Sequence, residues 1–183
     1  MTSLDHISAR AKIGTAVAAG TLLMSAMASP AAAETVRWRN IVGSSPFANV
    51  NGAVASNTVD AISPGGRPWT TLGGRAKVNL ATSQVTFEVE GLVLLGGNTI
   101  GTPGAVNTVV GSVVCNPGAA NQTISNTPAV KLSPQGDAEF SGTASPPFPS
   151  TCNAANIAFL VRIGPVAGAW IAAGIVKNSP TDE

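Results

Sequence analysis

Gly74-Arg75-Ala76-Lys77-Val78-Asn79-Leu80-Ala81-Thr82-Ser83-Gln84-Val85-Thr86-Phe87-Glu88-Val89-Glu90 is the stretch that decides the fold class. Two alternating runs flank a polar turn at Ala81–Gln84, the pattern of an antiparallel hairpin. Pairing Leu80 with Val85 sets Val78 opposite Phe87 and Ala76 opposite Val89. The same register sets Lys77 opposite Glu88 and Arg75 opposite Glu90. One face is then apolar and the other pairs opposite charges, each pair worth roughly 0.2–1 kcal/mol. A slip of one residue would turn Phe87 to solvent.

The same alternation runs through the rest of the chain, with Gly, Pro, Asn and Ser as punctuation. No segment sustains a helical period. The pattern predicts strands at Val36–Val42, Val54–Ala61, Arg75–Leu80, Val85–Leu94, Thr108–Cys115, Ala129–Leu132, Ala138–Thr143, Ile157–Ile163 and Ala169–Val176. A second hairpin turns at Ser133-Pro134-Gln135-Gly136-Asp137, where Gly136 can take the positive φ such a loop needs. Its register sets Val130 opposite Phe140, Leu132 opposite Ala138 and Lys131 opposite Glu139. A third turns at Gly164–Gly168, pairing Ile163 with Ala169 and laying Arg162 beside Trp170, within reach of a cation–π contact. Neighbouring hairpins whose edges must be covered imply an all-β, antiparallel fold, either a two-sheet β-sandwich or a flattened barrel of about eight or nine short strands. A transmembrane barrel would need aromatic girdles, and the chain has three Trp and no Tyr.

Residues 1–33 have the form of a secretory signal peptide: Arg10 and Lys12, an apolar stretch Ile13–Ala28, and the cleavage motif Ala31-Ala32-Ala33. The β-domain is expected over residues 34–177, with a frayed tail at 178–183. Export would place the mature chain in the periplasm or outside the cell, with no membrane attachment after cleavage. The short, Ala-rich leader resembles bacterial ones.

Composition excludes several functions. The only His and all three Met precede residue 34, so the mature chain has no His for a triad, a general base or a metal centre. Taking Arg10 and Lys12 from ten cations, and Asp5 from nine acids, leaves eight of each. Nucleic acid and anionic membrane surfaces are recognised by an excess of Lys and Arg, which is absent. Asp60, Asp137 and Glu139 have no metal-ligand spacing, and Gly96–Gly104 lacks the Gly-Lys-Ser/Thr ending of a phosphate loop. No cofactor is indicated.

Four sets of residues remain. Cys115 and Cys152 are the only cysteines, and in an oxidising compartment they pair as a disulfide. Glu88 and Glu90, at i and i+2 on one strand face, stand about 7 Å apart, a spacing open to glycoside hydrolysis. Facing cations on a solvated surface, Lys77 and Arg75, account for the whole pattern and are the preferred reading. Pro64-Gly65-Gly66-Arg67-Pro68-Trp69 sets a Trp near an Arg in a Pro/Gly loop. If exposed, Trp69 would stack on a sugar and Arg67 would donate to its polar groups. If folded back, it would plug the end of the scaffold. Arg37-Trp38-Arg39 reads as an apolar-in, cationic-out strand.

Gly74–Leu80 followed by Val85–Leu92 resembles the opening hairpin of chordin-type (CHRD) secreted β-domains, where a Gly-x-Ala strand leads to a Val-x-Phe-x-Val-x-Gly-Leu strand. That family carries a His-x-His-Gly stretch soon afterwards, and this chain does not. The mature chain as a whole is similar to small exported bacterial proteins of unassigned role. The resulting expectation is a non-catalytic binding or structural β-domain whose partner is a glycan or another exported protein. The alternatives are a carbohydrate-binding module using Trp69 and a glycan hydrolase using a carboxylate pair.

Overall fold

The computed structural model describes residues 34–50, 53–59 and 61–178. The leader at 1–33, Asp60 and the tail beyond Asn178 lie outside the described residues. Among the described residues thirteen strands follow in chain order: β1 (Thr35–Gly43), β2 (Phe47–Val50), β3 (Ala53–Ser56), β4 (Trp69–Thr70), β5 (Gly73–Asn79), β6 (Gln84–Glu90), β7 (Val93–Leu94), β8 (Thr108–Cys115), β9 (Thr123–Asn126), β10 (Val130–Lys131), β11 (Ala138–Thr143), β12 (Ile157–Ile163) and β13 (Trp170–Asn178). Nine form one sheet in the order β10-β8-β12-β13-β1-β5-β6-β11, with β9 also on β8. The fold is all-β, and every strand ladder is antiparallel. The main sheet is a curled half-barrel rather than two stacked sheets. Two short ribbons, β2-β3 and β4-β7, accompany it.

The first hairpin keeps its faces but not its partners. β5 and β6 pair Val78 with Val85, Ala76 with Phe87 and Arg75 with Glu88, two residues away from the expected register. Asn79 causes the shift. Its Oδ1 accepts hydrogen bonds from Ala81 N at 3.0 Å and Thr82 N at 3.1 Å, a side-chain turn that starts the loop one residue early. Ser83 closes it at φ 55°. Because the shift is even, Val78 and Phe87 remain buried and the charges remain outside.

The second hairpin is opened out. Its turn forms as expected: Gly136 has φ 90°, Ser133 N donates to Asp137 O at 2.9 Å, and Ser133 Oγ accepts from Asp137 N at 2.9 Å. The strands leaving it do not ladder together, so the pairs Val130/Phe140, Leu132/Ala138 and Lys131/Glu139 are not formed. β10 adds to β8 and β11 adds to β6. The turn therefore joins the two ends of the curled sheet. In the third hairpin Arg162 does pair with Trp170, beside a bulge at Val161/Arg162. Its guanidinium turns from the indole to the loop, donating to Gly168 O at 2.7 Å and to Ala167 O. Burial pulls its pKa below the usual value.

The inside of the half-barrel holds the main core, with Phe87, Phe159, Ile41, Leu92 and Ile171 fully buried. β8 and β12 are buried on both faces. Outside them Val114, Leu160, Trp170 and Ile62 form a second cluster. The segment before β4 covers it, since Trp170 Nε1 donates to Asn57 O at 3.1 Å and Gly65 N to Trp170 O at 2.8 Å. Cys115 and Cys152 form a disulfide, with Cα atoms 5.2 Å apart. It ties the end of β8 to the Pro-rich connection before β12.

Two stability outcomes follow. A Cβ added at Gly111 would stand 2.7 Å from the Phe87 ring, so Gly111→Ala should lower stability by about 1–3 kcal/mol through overpacking. The Cys115–Cys152 cross-link spans a sequence separation of 37. Dithiothreitol should therefore lower unfolding free energy by roughly 3–4 kcal/mol. Urea titrations followed by Trp emission measure both.

Candidate functional site

Each residue singled out from the sequence has a definite place. Trp69 is 6% exposed and belongs to the main core. Its backbone is fixed twice, by Trp69 N donating to Ser44 O at 2.8 Å and by pairing with Leu94. Gly43 permits the crossing, because a Cβ there would meet Trp69 O at 2.1 Å. Gly65 lies against the indole edge, its added Cβ 3.1 Å from Nε1. Of the two readings of Trp69, the folded-back one holds and no exposed stacking face is formed: the Pro64–Gly65 loop closes over the sheet, and the indole fills the space beneath it. Arg67 is exposed and donates to Thr99 Oγ1 at 3.3 Å. Both residues still line one loop-end cavity of about 670 Å³, together with Thr102, Val106 and Ile163.

Glu88 and Glu90 share the outer face of β6, but their neighbours differ from the expected ones. Glu88 is held by Arg75, with Nη2–Oε2 at 2.6 Å. Glu90 stands opposite Gly73, and Lys77 opposite Thr86. On the other side of β6, Glu139 of β11 is the direct ladder partner of Glu88. A second carboxylate pair therefore lies across strands, a pairing hidden from the sequence because β11 joins β6 and not β10.

A cavity of about 770 Å³ lies over this outer face, a groove across β1, β5, β6 and β11. Its size is typical of ligand sites. Four exposed cations line it, Arg37, Arg39, Arg75 and Lys77, with Glu88 and Glu139. Arg37 and Lys77 are ladder partners. Beside them Thr86 Oγ1 and Ser141 Oγ share a hydrogen bond at 3.3 Å. Every one of these side chains stands on a strand, so neighbouring ladders fix the spacing of their Cα atoms. Sequence reading accounted for these cations one strand at a time. Two alternating motifs, Arg37-Trp38-Arg39 and Arg75-Ala76-Lys77, were the available signal, and only the β1–β5 pairing brings them together.

These features define an all-β domain with a charged groove on the outside of its half-barrel. No family model, curated protein or solved structure matches the chain.

Trp38, Trp69 and Trp170 are 3%, 6% and 5% exposed, so native emission should be blue-shifted and resist iodide quenching. Trp69→Ala should cost about 3–5 kcal/mol in a urea titration. Glu88→Gln, at an exposed ion pair, should cost less than about 1 kcal/mol. A harmless Trp69→Ala would show that the indole does not support the core.

Proposed function

We propose that this chain is an exported, non-catalytic binding or structural β-domain, and that its recognition face is the outer groove of β1, β5, β6 and β11. The observation that carries this reading is the gathering of Arg37, Arg39, Arg75 and Lys77 on one rigid face. They are half of the eight cations that follow residue 33. The ladders fix the spacing of the backbones that carry these charges, so a partner meets them at set intervals. Export is supported by the leader pattern and by the disulfide, which persists in oxidising compartments. Among the described residues no helix is long and apolar enough to cross a membrane. Burial of Trp69 withdraws the main support for sugar stacking at the loop end.

One observation favours a second reading. Glu88 and Glu139 oppose each other across the β6–β11 ladder, and two neighbouring carboxylates are the apparatus of a glycosidase. Against it, Glu88 is engaged by Arg75 on an exposed face. The test is release of reducing ends from a panel of neutral and acidic polysaccharides by the purified protein. No turnover is the expected result. Turnover abolished by Glu88→Gln or Glu139→Gln would establish the hydrolase and overturn the non-catalytic reading.

A further inference from the structure

The Pro/Gly loop Pro64–Trp69 and the Gly-rich connection Gly96–Gly104 both contribute to the loop-end cavity of about 670 Å³. Its size lies in the range of small-molecule sites. Trp69, Leu94, Pro103, Val106 and Ile163 give it a largely apolar lining. Arg67 is the charged residue of that lining, and no carboxylate joins it there. The outer groove differs, because Glu88 and Glu139 line it together with the cations.

The loops around the cavity are tied by their own hydrogen bonds. Leu94 N donates to Thr102 O at 3.0 Å, Gly101 N to Leu94 O at 2.9 Å and Leu95 N to Pro68 O at 2.9 Å. Thr102 Oγ1 donates to Thr99 O at 2.9 Å and accepts from Gly104 N at 3.1 Å. The loops are thus ordered before a ligand binds, and binding does not have to order them. Arg67 is placed by the same loops. Its Nη1 donates to Thr99 Oγ1 at 3.3 Å, and the guanidinium lies against Gly97, where an added Cβ would stand 3.6 Å from Nη1. The Nε–Nη2 edge has no acceptor among the described residues. A guanidinium carries five N–H donors in a fixed fork, so that edge is open to a ligand.

We infer that this cavity binds a small carboxylic acid with an apolar body, as its anion. The carboxylate takes the open edge of Arg67 in two parallel N–H···O bonds. The apolar body lies against Leu94, Val106 and Ile163 and leaves water. One cation balances one negative charge, which suits a carboxylate rather than a phosphate dianion. A sugar would set hydroxyls against the same wall, where polar groups without partners are costly. The cavity is separate from the outer groove, and the inference goes beyond the reading of that groove as a recognition face.

Calorimetric titration of the purified protein with octanoate, and with octan-1-ol as its neutral counterpart, is the test. Octanoate should bind at a single site, about tenfold or more tighter than octanol, the advantage of hydrogen bonds to a charged group. Arg67→Gln should lower octanoate affinity about tenfold or more, to the level of octanol, with native Trp emission showing that the fold is kept. Lys131→Gln removes an exposed cation elsewhere and should bind octanoate like wild type. A wild type that binds no octanoate overturns the inference, and this result needs no variant to fold. So does octanol binding as tightly as octanoate, which would leave an apolar cavity that reads no charge. An Arg67→Gln variant that keeps full octanoate affinity overturns it as well. Equal losses in Arg67→Gln and Lys131→Gln do the same, because net charge and not the site would then attract the anion. None of these outcomes touches the non-catalytic reading, which falls only to glycan turnover.

Discussion

Four aromatic rings lie in line through the inside of the sheet, and its curvature depends on their contact. Trp38 on β1 meets Phe159 on β12 at 5.8 Å, Phe159 meets Phe87 on β6 at 5.5 Å, and Phe87 stacks on Phe140 of β11 at 6.0 Å. β12 and β6 are four steps apart in the sheet order. In a flat sheet, four steps would separate them by about 19 Å. A ring contact at 5.5 Å therefore requires the sheet to curl. Each such pair contributes about 0.5–1.5 kcal/mol beyond its buried area. Gly111 lets Phe87 lie against the backbone of β8, since no larger residue would leave room for the ring.

The line of rings also determines what faces outward. Strand side chains alternate, so placing Trp38 inside turns Arg37 and Arg39 out. Ala76 and Val78 inside turn Arg75 and Lys77 out. Phe87 inside turns Thr86 and Glu88 out, and Phe140 turns Glu139 and Ser141 out. The aromatic core and the sorted charges are thus two sides of one register. β8 and β12 obey a different rule because the segment before β4 covers their outer face. Their sequences accordingly run nearly continuously apolar, as in Val109-Val110 and Val113-Val114.

The strands that carry the groove were legible from alternation alone. β8, β11 and β12 have the boundaries that the apolar pattern predicts, and β1, β5 and β6 differ by a residue or two at most ends. β2, β4 and β9 were not legible. Thr123-Ile124-Ser125-Asn126 has little apolar content to alternate, and β4 is two residues held by a crossing strand. The first hairpin shows where local reasoning fails. Charge pairing of roughly 0.2–1 kcal/mol was weighed against nothing, whereas two backbone hydrogen bonds to Asn79 Oδ1 set the actual turn. For the site, the residues were visible but their association was not. The β1–β5 and β6–β11 pairings are long-range, and adjacency in sequence pointed to β10 for β11 instead.

Recognition on a β scaffold usually belongs to loops, yet the loops here are occupied with closing the structure. The Pro64–Gly65 loop covers Trp69 and bonds to the backbone of Trp170. The connection before β12 is stapled by Cys152 and anchored by Phe148 N donating to Ser83 Oγ at 2.8 Å. The Ser133–Asp137 turn spans the two ends of the sheet, where Gly136 O accepts from Leu92 N at 2.8 Å and Asp137 Oδ1 from Gly91 N at 3.0 Å. A sheet with open edges needs such covers, and a segment that covers an edge is not free to reshape around a ligand. On the strand face between β1 and β11, the side chains of Arg37, Arg39, Arg75, Lys77 and Glu139 are exposed. That face is also where the chain tolerates like charges in opposition, Arg37 against Lys77 and Glu88 against Glu139. Recognition of a partner surface is then left to the strands, whose ladders set the spacing of the charges they present.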